Sequence, residues 1–137
     1  MLNSSPLAWA GIMSDNREII MDIRELIDTY HQAWTSGDFA AARACLADDL
    51  DFRGSMDAFS KADDFIVALM QFGQMLRNVT VLKRFYDHDG AALLYDCDTV
   101  SPAGIIRTAE FFTVSDNRIF SIRLVFDATA LRQAMPA

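Results

Sequence analysis

IIRTAEFFTVSDNRIFSIRLVFD, residues 105–127, is the stretch that decides the fold. It holds two strand-length runs of alternating apolar residues, separated by Ser115-Asp116-Asn117, a cluster that favours a tight reversal. With Asp116-Asn117 as a two-residue turn, Ser115 faces Arg118, and counting back along the ladder sets Glu110 opposite Arg123. One face of this hairpin then carries Ile106, Thr108, Glu110, Phe112, Ser121, Arg123, Val125 and Asp127. The other carries Ala109, Phe111, Phe120, Ile122, Leu124 and Phe126. A half-exposed sheet has one plainly wet face, and neither of these qualifies. Either the mixed face lines a pocket under helices while the Phe-rich face packs on a second subunit, or the Phe-rich face is core and the mixed face meets solvent.

Working outward, VTVLKRFYD (residues 79–87) and AALLYDCDTV (residues 91–100) alternate in the same way. Turn signals at His88-Asp89-Gly90 and Ser101-Pro102-Ala103-Gly104 follow them. Upstream the period changes. Asp15 with Glu18 signals a helix start, and Ile19, Ile20, Ile23, Ile27, Tyr30 and Trp34 recur at helical spacing, predicting a helix over residues 17–36 that Gly37 ends. Asp38 suits the cap of a second helix, FAAARACLA, ended by Asp48 and Asp49, with LDFRG as a short strand after it. Ser60 and Asp63 open a third helix that runs to about Leu76. Helices followed by an antiparallel meander make an α+β domain over residues 17–137, with residues 1–16 as an N-terminal arm.

The composition excludes several classes. At 137 residues and 52% hydrophobic the chain is one domain with a real core, too apolar for disorder. Nineteen acids against twelve bases, with the bases scattered, oppose a phosphate backbone, so no nucleic-acid partner is expected. No apolar run is long enough to span a membrane, and MLNSSPLAWAGIM lacks the basic residues of a signal peptide. Cys45 and Cys97 stand apart without metal-ligand company, as buried hydrophobes of a reducing cytoplasm, so neither a metal nor a disulfide is expected.

The element order, with Tyr30 to Trp34, Ser36-Gly37-Asp38, Ala47-Asp48-Asp49 and the closing RIFSIRLVFD, resembles the nuclear transport factor 2-like superfamily. More narrowly it is similar to the SnoaL-like branch, which includes polyketide cyclases, ketosteroid isomerases and limonene epoxide hydrolase. The resemblance covers about residues 17–131. It implies a cone-shaped α+β barrel in which a curved sheet wraps the helices around a pocket, with the outer sheet face forming a homodimer. It turns the mixed hairpin face inward, making Glu110 and Arg123 a charge pair at the pocket and pointing Asp127 into it. The enzymatic residue sets transfer incompletely. Tyr30 matches the isomerase tyrosine, but the base position falls on Gly54 and the protonated-acid position on Ala109 or Glu110. For the epoxide hydrolase, Asp127 and Asp98 match the acids, the arginine position falls on Asp96, and the water-holding positions hold Phe52 and Gly54.

The expected function is a cofactor-independent pocket for an apolar, carbonyl-bearing small molecule, worked by acid-base chemistry as a cyclase, isomerase or hydratase. Asp127 is the expected acid or base, with Tyr30 or His31 as donor. Glu110 and Arg123 form the polar clamp, and Trp34, Phe52, Asp96 and Asp98 complete the substrate contacts. Asp127 is equally suited to start the helix ATALRQAM, and the parity of Asp96 and Asp98, inward or paired outward with Arg107, depends on the loop at residues 101–104. The competing function is a non-catalytic binding or dimerisation module. The dimer patch is expected at Phe111, Phe120, Ile122, Leu124 and Phe126.

Overall fold

The computed structural model describes residues 22–134, so the N-terminal arm and the helix-start signal at Asp15 lie outside the described residues. Its elements are α1 (Ile23–Thr35), α2 (Phe39–Ala44), β1 (Leu46–Arg53), β2 (Ala58–Phe59), α3 (Ala62–Gly73), β3 (Leu76–Tyr86), β4 (Gly90–Thr99), β5 (Ile105–Ser115), β6 (Arg118–Phe126) and α4 (Thr129–Ala134). The six strands form one curved sheet in the order β2-β1-β6-β5-β4-β3, open at β2 and β3. Only β1 and β6 run parallel; β3 to β6 form the expected meander, and β2, a two-residue strand not expected from the sequence, pairs antiparallel with β1.

Local chemistry sets the helix ends. Asp22 accepts from Arg24 N to start α1, whose apolar stripe buries Leu26, Ile27, Tyr30, Ala33 and Trp34 against the sheet. Each large side chain so buried contributes about 1.5–3 kcal/mol. Gly37 takes φ +89° just beyond the helix, where a side chain would be strained, and Asp38 then caps α2 through Ala41 N at 3.1 Å. Several boundaries differ from expectation. The helix expected over residues 17–36 begins at Ile23, because Asp22 is extended and caps it, and the strand expected at LDFRG begins already at Leu46. The second helix stops at Ala44 because Leu46 is already paired with Ile119 of β6, and α3 stops at Gly73 because β3 begins at Leu76. Arg43 ties these pieces together, reaching Asp48 and Asp63 at 2.7 Å each, so part of the acidic surplus is paired on the surface.

The decisive hairpin forms with its turn as read. Asp116 and Asn117 both adopt positive φ, as a two-residue turn of the type that follows strand twist requires, and Ser115 pairs with Arg118. The ladder then slips by one residue. Val114 pairs with Ile119 but Thr113 pairs with Ser121, which leaves Phe120 as an extra residue, a β-bulge. Beyond the bulge Glu110 faces Leu124, and Phe111 faces Arg123. A one-residue slip exchanges the faces of everything that follows. The expected Glu110–Arg123 pair is therefore corrected: Arg123 turns to the outer face, and Ile122, Leu124 and Phe126 turn inward beside Ile106, Thr108, Glu110 and Phe112. The cause is packing. Ile119 and Ile122 are both fully buried, and an odd separation of three can put both on one face only through a bulge.

Candidate active site

Between α1, α3 and the concave face of the sheet lies a cavity of about 310 Å³. Tyr30 and Trp34 come from α1, one helical turn apart on its buried stripe. Phe65, Leu69 and Phe72 come from α3, Tyr95 and Cys97 from β4, Thr108 and Glu110 from β5, and Leu124 and Phe126 from β6. Phe52 of β1 stacks on Phe65 with ring centroids 4.5 Å apart, and Leu131 of α4 closes a side. Asp57 and Gln71 line the cavity yet are exposed, which marks its mouth.

The chemistry concentrates on Glu110. Its side chain is 1% exposed, and the hydroxyl of Tyr95, its diagonal neighbour across the β4–β5 ladder, donates to Oε1 at 2.8 Å. Burial pushes the Glu110 carboxyl up to about 7, opposed by the bond from Tyr95. Both forms of the acid are then populated near neutrality, the condition for moving a proton in either direction. Tyr30 and Tyr95 are held well above the usual phenol value by burial and by Glu110, so both remain O–H donors. Cys97 is pushed up to about 12, mainly by burial, and stays a thiol. Burial also raises Asp57 at the mouth.

Four buried polar side-chain atoms among the described residues have no hydrogen-bond partner: Tyr30 Oη, Trp34 Nε1 and both ring nitrogens of His31. Leaving a buried donor unpaired costs about 1–3 kcal/mol, so native structures rarely keep several together without a reason.

Of the residues singled out by sequence, the structure brings Tyr30, Trp34, Phe52 and Glu110 to one cavity. The others lie elsewhere. His31 is buried behind the wall, its ring edge-on to Tyr95 at 4.8 Å and Trp34 at 5.4 Å; burial, aided by Arg84, lowers it to about 4, so it is neutral and does not line the cavity. Asp127 is exposed and accepts from Thr129 N at 3.0 Å at the start of α4; that bond holds its carboxyl below the usual range, the opposite of a raised catalytic acid. Arg123 bonds the backbone O of Asp51 at 2.9 Å and its carboxylate at 3.0 Å, on the outer face. Asp96 takes a two-pronged bond from Arg107 at 2.8 and 2.9 Å. With Tyr95, Cys97 and Thr99 buried, alternation along β4 sends Asp96 and Asp98 outward together.

Sequence reasoning missed Tyr95. The signal was the pairing of β4 with β5, since Leu93 opposite Glu110 makes Tyr95 its diagonal partner. Among the described residues the one His/Cys/Asp/Glu group close enough to hold a cation is Asp87, His88 and Asp89, exposed in the β3–β4 turn and outside the cavity.

The SnoaL-like domain family matches residues 27–122. A solved structure from Kribbella flavida DSM 17836 is 34% identical, covers 80% of this chain and 90% of its own, and superposes with a TM-score of 0.76. A nuclear transport factor 2-like protein from Cytophaga hutchinsonii ATCC 33406, 19% identical, shares the fold at a TM-score of 0.72, over 82% of this chain and 96% of that one. An LEH-like epoxide hydrolase from M. tuberculosis does so at 18% identity and 0.65, over 82% and 86%. No curated protein matches the chain.

Proposed function

The chain belongs to the SnoaL-like domain family, and on that premise we propose that its cavity binds an apolar carbonyl-bearing small molecule and moves a proton on it through Glu110. The observation that carries this reading is a wholly buried carboxyl on the cavity wall, bonded by Tyr95 and raised to about 7. As carboxylate, Glu110 takes a proton from the carbon beside the carbonyl; as acid, it returns that proton at another position of the conjugated system, so the net change is an isomerisation. The Tyr30 hydroxyl, which has no protein partner, donates to the carbonyl oxygen as negative charge develops on it. No cofactor is required for this chemistry.

The test is α-proton exchange. β-Tetralone in deuterium oxide is expected to lose its α-proton signals faster with the protein than in buffer, and Glu110→Gln is expected to return the rate to that of buffer. A wild-type rate equal to buffer overturns the catalytic reading. A specific feature favours the competing binding module: Gly54, where the isomerase base would stand, has the Phe52 ring 3.0 Å from the site of a Cβ, so no second acid fits there without movement. Saturable binding of the ketone without exchange selects that module.

We also infer that copies pair through the outer sheet face, now redrawn by the bulge. Phe111, at 48% exposure, and Phe85, at 61%, flank Ala92 across neighbouring strands, with exposed Phe120 and Val125 nearby. Sedimentation at micromolar concentration is expected to show a dimer that Phe111→Lys dissociates. A monomeric wild type overturns this.

A further inference from the structure

Among the described residues the cavity wall carries two carboxyl groups, at different depths, and no Lys, Arg or His. Glu110 is buried on β5, whereas Asp57, in the segment between β1 and β2, is exposed at the mouth. No side chain among the described residues pairs with the Asp57 carboxylate. Arg132 reaches the same segment but donates to the backbone O of Ser55, at 2.9 Å. Burial alone moves the Asp57 carboxyl upward, with no cation opposing the shift.

Aromatic rings stand beside this carboxylate. Asp57 Oδ1 and the edge of the Phe52 ring approach one point, where a Cβ on Gly54 would stand, to 3.4 and 3.0 Å. Phe52 lies 4.5 Å from Phe65 and 5.9 Å from Phe59, and those two rings are 6.2 Å apart, so the three form a cluster on the cavity wall next to Asp57. An aromatic face attracts a cation and a carboxylate neutralises it; side by side they suit an ammonium group. At the mouth such a group keeps part of its hydration, so its transfer costs little, while an apolar body fills the aromatic interior. An anionic ligand would meet two acids and no counter-ion. A divalent metal ion fits worse than an amine, because one carboxylate falls well short of the roughly six oxygen ligands that hard cations take. The formal charge of −7 on the chain attracts cations in the same sense.

We propose that the ligand of this cavity is an amphiphilic amine, its apolar ring body inside and its ammonium group held at the mouth by the Asp57 carboxylate beside Phe52 and Phe59. This rests on the cavity being the ligand site of the function proposed above, and it narrows the ligand class to ring-sized carbonyl compounds that also carry an amine. It does not require that Glu110 catalyse anything.

Three probes on one skeleton test it: 2-aminotetralin, protonated at neutral pH, β-tetralone and tetralin-2-carboxylate, each titrated calorimetrically into the full chain. The ammonium compound is expected to bind most tightly and the carboxylate most weakly. Asp57→Asn, a substitution at an exposed position, is expected to cut the ratio of ammonium to ketone affinity about fivefold, the loss of one partly hydrated ion pair. Glu110→Gln is expected to preserve the greater part of that ratio. A second readout needs no mutation: added sodium chloride is expected to weaken the ammonium compound and to leave the ketone unchanged. An ammonium compound that fails to bind or binds no better than the carboxylate, a ratio unaltered in Asp57→Asn, or a ratio abolished by Glu110→Gln instead overturns the proposal. Proton exchange on β-tetralone without the ammonium preference leaves the catalytic reading standing and removes this ligand class. The ammonium preference without proton exchange does the reverse.

Discussion

Tyr95 and Glu110 stand diagonally across the β4–β5 ladder, both 1% exposed, and the Tyr95 hydroxyl donates to Oε1 of Glu110 at 2.8 Å. This single bond opposes the burial that lifts the acid. Removing it with Tyr95→Phe is expected to raise the Glu110 carboxyl further above its value of about 7 and to cost about 1–3 kcal/mol of stability through the unpaired oxygen. Titration of the ¹³C carboxyl signal checks the first point and urea unfolding the second.

His31 and Glu110 pull the pH dependence of stability in opposite directions. Glu110 rises from an ordinary 4.5 to about 7, so the folded state holds its proton more tightly; its share of stability is present below 4.5 and is lost as pH climbs toward 7. His31 falls from 6.5 to about 4, so the unfolded state holds its proton more tightly; its share is present above 6.5 and is lost as pH drops toward 4. Each effect is on the order of 3 kcal/mol across its range. Between pH 4.5 and 6.5 their slopes cancel. Urea midpoints over that window are expected to rise with pH for Glu110→Gln and to fall with pH for His31→Phe. Slopes that match the wild type in both variants would contradict the assignment.

Asp127 is expected to be dispensable for ligand binding and proton exchange. Its carboxylate accepts from Thr129 N at the start of α4, a task asparagine performs as well. Asp127→Asn should therefore leave both the exchange rate and the melting temperature close to wild type, and Asp127→Ala should lower only the latter. A lost exchange rate in Asp127→Asn would restore this residue to the chemistry.

Deletion of Phe120 tests the bulge directly. Without the extra residue the hairpin becomes regular, and Ile119 and Ile122, then two apart, still share the inner face, so every β6 side chain beyond keeps its partner on β5. Ile122 would still face Phe112 and Leu124 would still face Glu110, with Arg123 outward. The variant is therefore expected to keep cooperative unfolding and near-ultraviolet dichroism, as is Phe120→Ala; loss of both in the deletion alone would contradict Phe120 as the extra residue.

Much of this molecule follows from local rules. Alternation located all four meander strands, Asp116-Asn117 supplied the positive φ that the tight turn needs, and the stripe from Leu26 to Trp34 marked the buried face of α1. Tyr30, Trp34 and Phe52 were legible as wall residues because each lies on an apolar face of its own element, whereas Glu110 stood on the mixed hairpin face that the family resemblance turned inward. Periodicity operates over a few residues, and there it is dependable.

What it cannot reach is parity after an irregularity. Whether β6 inserts a residue depends on Ile119 bonding Cys45 O and pairing with Leu46, distant in the chain, while Ile122 fills the core from the same face. Whether Asp96 faces Arg107 or the cavity depends on how β4 registers with β5. The sequence by itself determined the elements, their order and the candidate carboxylates. Only the tertiary structure decided which carboxylate is buried, because burial is settled by the packing of remote strands, and one bulge is enough to send Arg123 outward and leave Glu110 alone with Tyr95.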